Sequence, residues 1–229
     1  MPIQFSNAGV DPLWSGLDLD VQPGEFIAIL GPNGSGKSTL LNTVLGTRTL
    51  TTGSVRVNGR IGYIPQQHMF DKHLPVRARD LVSLSLGHGV FSGRRPSKHA
   101  VDEALAYVGA EGIADRSVGT LSGGQQQLIR QAQAFGTDPD VVLADEPLLS
   151  LDMAREHDTV ARLHKHRAAV LFVTHGINPI LDVVDRVLYL APRGHMLGTI
   201  DEVMQTQVLS ELYGTHVEVA TVNGKLVVV

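Results

Sequence analysis

Residues 31–38 have the types and the spacing of a phosphate-binding loop. They read GPNGSGKS and fit the pattern G-x-x-x-x-G-K-[ST] between an apolar run at 26–30 and a helix-like segment at 39–45. Glycine lets the backbone turn closely enough for successive N–H groups to point at one set of anionic oxygens, and the helix N-terminus adds its own free N–H groups. An ordinary glycine-rich turn is the alternative. The stretch predicts a loop that binds a nucleoside triphosphate, with Lys37 neutralising the β- and γ-phosphates.

An acidic pair, Asp145 and Glu146, follows the apolar run at 141–144. Because ligands of open α/β sheets bind at the carboxyl ends of the strands, both carboxylates are expected to reach the site of the loop. We expect Asp145 and the hydroxyl of Ser38 to hold Mg²⁺, with water in the coordination shell, and Glu146 to polarise an attacking water as a general base. In isolation, such a pair is as readily explained as two solvated acids at a strand end.

A second glycine-containing helix start lies at 121–127, which read LSGGQQQ. Ser122 is predicted to cap the helix, and Gly123 and Gly124 are predicted to expose backbone amides at its N-terminus. Considered alone, the segment is best interpreted as a capped helix without a ligand.

Composition restricts the class of protein. The 229 residues suffice for one large α/β domain, and 43% of them are hydrophobic, so a sizeable core is expected. The net charge is −4 and basic residues form no long run, which argues against nucleic acid as a partner. The absence of cysteine excludes disulfides and thiolate metal sites and suits a reducing compartment. No apolar run approaches the roughly 18 residues that span a bilayer.

Hydrophobic patterning predicts an α/β fold with a mostly parallel sheet and an antiparallel β portion near the N-terminus. Strands alternate with helices after residue 136, which implies parallel crossovers. Between 75 and 136 helical patterns predominate, with helices expected at 78–86, 98–108 and 125–135 and a loop at 87–96. We therefore predict a single domain, 1–229, with a catalytic core at 1–74 and 137–229 and an inserted helical subdomain at 75–136.

Two Asn-Gly dipeptides are typical of hairpin turns. Asn58-Gly59 lies between the strand-like segments 55–57 and 61–64, and Asn223-Gly224 lies between the β-rich arms of 217–229. A further helix is expected between His175 and the strand-like run at 187–190.

The remaining segments complete a set that resembles the ABC ATPase family over nearly the whole chain. Residues 121–125 look like the family's signature motif, Gln66 like its Q-loop glutamine, residues 150–152 like its D-loop and His175 like its switch histidine, in the family's order. The resemblance implies a RecA-like, P-loop NTPase core and a homodimer that sandwiches two ATP molecules. Each ATP would lie between the phosphate loop of one subunit and residues 122–125 of the other.

The resemblance also implies residue roles. Gln66 would sense Mg²⁺ and the γ-phosphate and link the core to the helical subdomain, with Gln67 as the adjacent alternative, and His175 would contact the γ-phosphate and the catalytic water. The expected catalytic residues are Lys37, Gln66, Glu146 and His175. The expected Mg²⁺ ligands are Ser38, Gln66 and Asp145. The expected nucleotide contacts are Gly31, Pro32, Asn33, Gly34, Ser35, Gly36, Lys37, Ser38, Thr39, Ser122, Gly123, Gly124, Gln125 and Asp152.

Two positions depart from the family's pattern. The aromatic residue that usually stacks on adenine would fall at Ala8, and neither of the flanking aromatic residues, Phe5 and Trp14, is an evident substitute; Trp14 is expected to pack in the core. The arginine usual in the helix after the signature is displaced, because Gln133 stands near its place and Arg130 lies one turn earlier. Base selectivity is therefore left open, while binding of a triphosphate is not.

Within the family, several segments are similar to zinc- and manganese-type importers, among them 60–66, 145–152 and 174–179. This resemblance implies an ATPase that works with transmembrane permease subunits at the cytoplasmic face of the plasma membrane, as a peripheral protein, and depends indirectly on an extracytoplasmic solute-binding protein. Iron-siderophore and vitamin-type importers are the nearest alternative. The cargo itself stays open, because its contacts belong to the permease and the binding protein.

Two further classes remain. ABC ATPases that act on DNA carry a long coiled coil between the phosphate loop and the signature, and those that act on ribosomes usually carry two cassettes; this sequence has neither. A pure binding module is the other alternative, and Glu146 argues against it because a site without hydrolysis needs no general base.

Overall fold

The structure, a computed structural model, describes residues 1–87, 96–222 and 225–228. The strands of this part of the chain are β1 (Ile3–Val10), β2 (Trp14–Val21), β3 (Phe26–Leu30), β4 (Thr52–Val57), β5 (Ile61–Ile64), β6 (Val141–Asp145), β7 (Ala169–Val173), β8 (Arg186–Ala191), β9 (Gly194–Gly198), β10 (Val219–Val222) and β11 (Lys225–Val228). The helices are α1 (Lys37–Val44), α2 (Ala78–Leu86), α3 (Lys98–Tyr107), α4 (Gly123–Phe135), α5 (Met153–Lys165), α6 (Ile200–Val203) and α7 (Thr206–Tyr213). Short 3₁₀ turns lie at Glu111–Ile113, Val118–Thr120 and Asn178–Ile180.

A six-stranded sheet in the order β5-β6-β7-β3-β8-β9 forms the centre of the fold. Adjacent strands in this sheet run parallel, except that β9 pairs antiparallel with β8. Strands β3, β6 and β7 are buried at every position, as expected for apolar strands covered on both faces. The predicted mostly parallel α/β sheet is confirmed, and the carboxyl ends of its central strands share one edge.

The two faces of this sheet pack against different layers. Along β3, Ile27 and Ile29 join a core formed with the antiparallel sheet β2-β1-β4 and with α1. Phe26, Ala28 and Leu30 join the opposite core, which extends into the helices. The alternation follows from the two-residue period of a strand. The predicted antiparallel portion near the N-terminus is therefore the layer that covers one face of the central sheet.

Helices α2, α3 and α4 pack on one another around buried apolar side chains such as Val82, Leu105 and Ile129. They match the predicted helices closely, and the predicted loop at 87–96 lies mostly outside the described residues. A separate subdomain at 75–136 stays a prediction. Among the helices of the described ranges, none combines the length and the apolar character needed to cross a bilayer.

Two predictions about local structure are wrong. Asn58-Gly59 is not a hairpin turn, because β4 pairs with β1 while β5 pairs with β6 in the central sheet. The dipeptide therefore marks a passage between two sheets. The helix expected after His175 is only the 3₁₀ turn at Asn178–Ile180. The C-terminal prediction fares better: β10 and β11 pair as a hairpin, although its Asn223-Gly224 turn lies outside the described residues.

Shortening a buried side chain of the central sheet should destabilise the whole fold. Phe172 is fully buried in β7, and its ring centroid lies 5.4 Å from that of Phe26. We expect Phe172→Ala to lower the free energy of unfolding by about 3–5 kcal/mol, because it removes apolar burial and leaves a cavity. Urea unfolding would measure this, with Leu84→Ala at an exposed helical position as the control. An equal effect of the two variants would contradict the assigned core.

Candidate active site

The phosphate loop runs from the end of β3 to the start of α1. Gly31 and Gly36 have φ angles of 140° and 93°. A Cβ on Gly31 would collide with the carbonyl oxygen of Leu190, and one on Gly36 would lie 2.9 Å from the ring of Trp14. Glycine is therefore required at both ends of the loop. The other predicted contacts follow the same loop and the first turn of the helix: Pro32, Asn33, Gly34, Ser35, Ser38 and Thr39.

Lys37 is buried at the first position of α1, and its side chain folds back under the loop. The Nζ atom donates hydrogen bonds to the carbonyl oxygens of Gly31, at 2.8 Å, and Pro32, at 2.9 Å. Burial lowers the pKa of the Lys37 ammonium, and the nearby carboxylates of Glu146 and Asp145 oppose that change. The three predicted charged groups thus interact within one site.

Asp145 ends β6 and is 3% exposed. Its Oδ1 atom is buried and has no hydrogen-bond partner among the described residues. Burial raises the pKa of the Asp145 carboxyl, while the Ser38 hydroxyl bonded to it opposes the rise. The Oγ atom of Ser35 is also buried and has no hydrogen-bond partner among the described residues. The unpaired carboxylate oxygen of Asp145 fits a hard cation, because Mg²⁺ takes oxygen ligands.

Glu146 is the next residue, and its backbone has a positive φ of 49°. A left-handed conformation is unfavourable for a residue with a Cβ, and such strain is concentrated at functional sites. The Glu146 amide donates to the carbonyl oxygen of Val173 at 3.0 Å, which holds the strained residue against the neighbouring strand. The conformation turns the chain away from the sheet at the point where the side chain enters the site.

His175 contacts Glu146 directly. Its Nε2 atom lies 2.7 Å from Glu146 Oε1, and the histidine side chain is half exposed whereas the glutamate side chain is 14% exposed. The structure thus brings together four predicted residues, Lys37, Asp145, Glu146 and His175, from three adjacent strands. The site contains a cation, two carboxylates and an imidazole that interact with one another.

The predicted signature segment lies elsewhere, against the D-loop of the same chain. A Cβ on Gly123 would lie 3.6 Å from Ser150 Cβ, and one on Gly124 would lie 3.5 Å from Leu151 Cδ2 and 3.6 Å from the Ser150 carbonyl oxygen. None of these neighbours belongs to the phosphate loop. Gly124 is buried, so only part of the amide surface expected at this helix start is exposed. Ser150 has a positive φ of 64°, a second strained residue at this surface.

Two of the predicted nucleotide contacts also cap helices. The Ser122 hydroxyl accepts from the Gln125 amide at 3.3 Å, and Gln125 Oε1 accepts from the Ser122 amide at 3.1 Å, a capping box at the start of α4. The predicted Ser122 cap is confirmed. Asp152 caps α5, and its Oδ1 atom accepts from the Arg155 amide at 3.0 Å. A structural role explains the side chains of Gln125 and Asp152 without a ligand.

The adjacent glutamines of the predicted Q-loop have different surroundings. Gln66 is exposed. Gln67 is half-buried, its Nε2 atom would collide with a Cβ on Gly123, and its Oε1 atom is buried without a partner in the described part of the chain. Gln66 is therefore available to a ligand, whereas Gln67 packs on the signature helix.

No aromatic side chain is exposed at the position expected to stack on a base. Ala8 is fully buried in β1, and Phe5 and Trp14 are buried as well. Trp14 packs in the core, as predicted, and it does so under the phosphate loop against Gly36. The sequence carried no signal for that contact, since residues 14 and 36 meet only in the fold.

The C-terminal hairpin contributes to the same edge of the sheet, which sequence reasoning missed. The Asn178 side-chain amide donates to the Leu226 carbonyl oxygen at 2.9 Å and accepts from the Leu226 amide at 2.8 Å. A cavity of 530 Å³ lies between this hairpin, the first residues of the phosphate loop and His175. The Tyr189 and Tyr213 hydroxyls, which line it, lie 2.9 Å apart, and burial raises the pKa of Tyr189.

Comparison with known proteins gives one family. The family model described as ABC transporter matches residues 14–149. The zinc import ATP-binding protein ZnuC of Cereibacter sphaeroides is 38% identical over 80% of this chain and 74% of its own length. The manganese transport system ATP-binding protein MntB of Bacillus subtilis is 32% identical over 93% and 92%. The sulfate/thiosulfate import ATP-binding protein CysA of Mycobacterium tuberculosis H37Rv is 35% identical over 92% and 64%.

Solved structures agree with the sequence comparison. A structure described as an inward-facing conformation of a metal-chelate type ABC transporter superposes with a TM-score of 0.84 at 26% identity. The superposition covers 99% of this chain and 95% of the other. The α/β architecture with its mostly parallel sheet and antiparallel N-terminal strands is therefore that of an ABC ATPase domain.

Replacing the buried acid should stabilise the chain in the absence of nucleotide. The native pKa of Asp145 is raised above its ordinary value of 3.8, so the native state binds more protons than the unfolded state between those two values. Stability therefore falls as the pH rises through that window. We expect Asp145→Asn to remove this dependence and to be more stable than the parent chain at about pH 8, because the neutral amide has no charge to desolvate.

Urea unfolding at about pH 5 and about pH 8, without nucleotide or Mg²⁺, measures the effect. Asp182→Asn, at an exposed carboxylate, is the control. A less stable Asp145→Asn variant at the higher pH would contradict the assigned burial.

Proposed function

Since this chain belongs to the ABC transporter family of ATP-binding proteins, we propose that it powers an importer of a divalent metal ion, zinc or manganese, as its ATP-hydrolysing subunit. The observation that carries the chemistry is the grouping of Lys37, Asp145, Glu146 and His175 at the carboxyl edge of β3, β6 and β7. A cation for phosphates, an unpaired acid for a metal ion and a base paired with an imidazole are the parts that triphosphate hydrolysis needs.

On this proposal the phosphate loop binds the triphosphate through its backbone amides and Lys37. The Lys37 ammonium would exchange the carbonyl oxygens of Gly31 and Pro32 for the β- and γ-phosphate oxygens. Ser38 and Asp145 would supply oxygen ligands for Mg²⁺, and Gln66, whose side chain is exposed, would supply a third. Mg²⁺, when bound, neutralises charge that develops on the phosphate oxygens. These assignments account for the unpaired oxygen of Asp145.

Glu146 then acts as the general base. Its carboxylate is held by the neighbouring strand through the backbone and by His175 through the side chain. Polarising a water requires a free carboxylate oxygen, and His175 binds only one of the two oxygens of Glu146. We therefore assign His175 to keep Glu146 oriented and to contact the γ-phosphate.

A second copy of the chain completes the site. Gly123 and Gly124 lie against Ser150 and Leu151 rather than against their own phosphate loop, so the signature and the D-loop form one surface. The family resemblance assigns the signature to the partner's nucleotide and the D-loop to the dimer interface. In a closed homodimer, the exposed amides at this helix start would meet the γ-phosphate bound by the partner, where preorganised N–H dipoles stabilise developing charge.

The remaining partners follow from the importer role. We propose that transmembrane permease subunits hold the chain at the cytoplasmic face of the plasma membrane, with an extracytoplasmic solute-binding protein delivering cargo to the permease. The names of ZnuC and MntB support a metal ion. The name of CysA and that of the metal-chelate transporter favour other cargo classes, an oxyanion and a chelated metal. The chain's own residues do not contact cargo, so they do not choose among these.

Neutralising the proposed base should trap the ATP-bound pair. We expect Glu146→Gln to bind ATP, to dimerise in its presence and to lower kcat by about 100-fold or more, since a positioned general base contributes about 10²–10⁴. Lys37→Ala should instead weaken ATP binding as well as turnover. Size-exclusion chromatography with Mg²⁺-ATP and a phosphate-release assay measure the two effects.

Glu156→Gln is the matched control, because Glu156 lines the same cleft as Glu146 and His175 and forms no hydrogen bond or ion pair with either in the described residues. We expect it to keep turnover within about two-fold, because the Glu156 carboxylate binds neither Glu146 nor His175. Unimpaired hydrolysis by Glu146→Gln would remove that residue from the role of base.

Uptake by a reconstituted transporter tests the cargo. Vesicles that contain this chain and the permease encoded beside it should accumulate Zn²⁺ or Mn²⁺ in an ATP-dependent manner when the accompanying binding protein is supplied. The Glu146→Gln variant should abolish that uptake. Accumulation of sulfate or of an iron chelate in place of the free ions would replace the proposed cargo, and failure of the chain to associate with any permease would contradict the importer role.

A further inference from the structure

Arg130 lies in the middle of α4 with a buried guanidinium. The residue is 6% exposed, and among the described residues no carboxylate lies within ion-pair distance of it. One nitrogen, Nη2, donates to the carbonyl oxygen of His68, and the guanidinium lies over the ring of Phe70 at 4.7 Å from its centroid. A second nitrogen, Nη1, is buried and has no hydrogen-bond partner in the part of the chain that the structure describes. The Arg130 side chain thus makes two contacts, and both are with residues that follow Gln66 in the sequence.

A second side chain of α4 binds the same segment. Gln126 is fully buried, and its Oε1 atom accepts from the Phe70 amide at 3.0 Å. Its Nε2 atom donates to the carbonyl oxygens of Val118, at 3.0 Å, and Leu121, at 3.2 Å, immediately before the signature residues. Gln67 in turn packs against Gly123. Residues 67–70, the docked segment, are therefore bound along the first half of the signature helix.

We propose that Arg130 is a positioning residue that fastens the docked segment to α4, so that Gln66 and Ser122–Gly124 change position together when nucleotide binds. The inference rests on the proposed function, in which Gln66 approaches the metal of its own site and Ser122–Gly124 the nucleotide of the partner. Four contacts join the segment to the helix: two from Arg130, one from Gln126 and the packing of Gln67 on Gly123. A substitution at Arg130 removes two of them at once.

Stability does not account for this arginine. A buried cation compensated by one carbonyl and one aromatic ring is costly to desolvate, and apolar residues of similar volume often replace buried charges without loss of stability. An apolar residue at position 130 is therefore expected to keep the fold while it loosens the docked segment. That separation allows a positioning role to be distinguished from a structural one.

The same helix offers a matched control. Gln133, one turn later, occupies the place where the family usually has arginine, and its Nε2 atom donates to the carbonyl oxygen of Leu81 in α2 at 3.3 Å. Gln133 therefore binds a backbone carbonyl, as Arg130 does, but that carbonyl belongs to α2 and not to the docked segment. Gln133→Met removes one such bond without touching residues 67–70.

The test compares Arg130→Met with Gln133→Met. Combined with Glu146→Gln, Arg130→Met should raise the ATP concentration for half-maximal dimerisation by about fivefold or more, the size of a typical coupling between two sites. Alone, it should lower kcat by about fivefold or more while KM for ATP changes by less than about two-fold and the melting temperature does not fall. Gln133→Met should leave all these values unchanged, and Arg130→Lys, which keeps a cation able to reach one carbonyl, should lie between.

Amide hydrogen exchange of the nucleotide-free chain supplies a readout that does not depend on dimerisation. Arg130→Met should accelerate exchange of the Phe70 amide, which is hydrogen-bonded to Gln126, by about tenfold, with no change in the second half of α4, and Gln133→Met should not affect it. Unchanged exchange, or unchanged dimerisation and turnover, would overturn the inference. A fall in melting temperature, together with a lower kcat and a higher KM for ATP, would also overturn it. If Glu146→Gln itself did not dimerise, the proposed function would fail, while exchange would still decide whether Arg130 fastens the segment.

Discussion

The register of three parallel strands is the constraint on which the site depends. In β3, Ile29 lies opposite Val173 of β7, and Val173 lies opposite Asp145 of β6. Because these strands point the same way, the residues that follow them emerge along one edge: the phosphate loop, Glu146 and Thr174-His175. A shift of one residue would reverse which side chains face the site. The burial of all three strands on both faces, through their apolar sequences, is what holds the register and hence the chemistry.

The site that this register assembles is not arranged for stability. Lys37 is bound to backbone carbonyls, Glu146 is bound to His175, and Asp145 has an oxygen without a partner. A left-handed backbone at Glu146 adds strain at the same edge. Buried charges of this kind are stabilised fully only when an opposite charge or a hydrogen bond reaches them. The charged groups at this edge can therefore still bind a polyanion and a cation. The apolar layers on both faces of the sheet offset the free energy that their burial costs.

Local patterns predicted the elements well and their partners less well. The phosphate loop, the helices α2 to α4 and the acidic strand end were all evident, because glycine positions, helical spacing and short apolar runs are local signals. Asn58-Gly59 misled for the same reason: its turn chemistry is real, but the strands on either side belong to different sheets. Two contacts join residues that are far apart in the sequence: the hydrogen bonds between Asn178 and Leu226, and the packing of Trp14 under Gly36. No local sequence pattern could have indicated them.

The surface formed by the signature segment and the D-loop shows the same difference between local and distant contacts. Ser122 and Asp152 each begin a helix with a side-chain cap, which is a local matter, yet the fold sets the two helix starts side by side through Gly124 and Leu151. Since the docked segment packs on the same helix start, a displacement of the chain after Gln66 cannot leave the signature residues unaffected unless the buried contacts of Gln126 and Arg130 break. Close packing thus makes one mechanical unit of the docked segment and the start of α4.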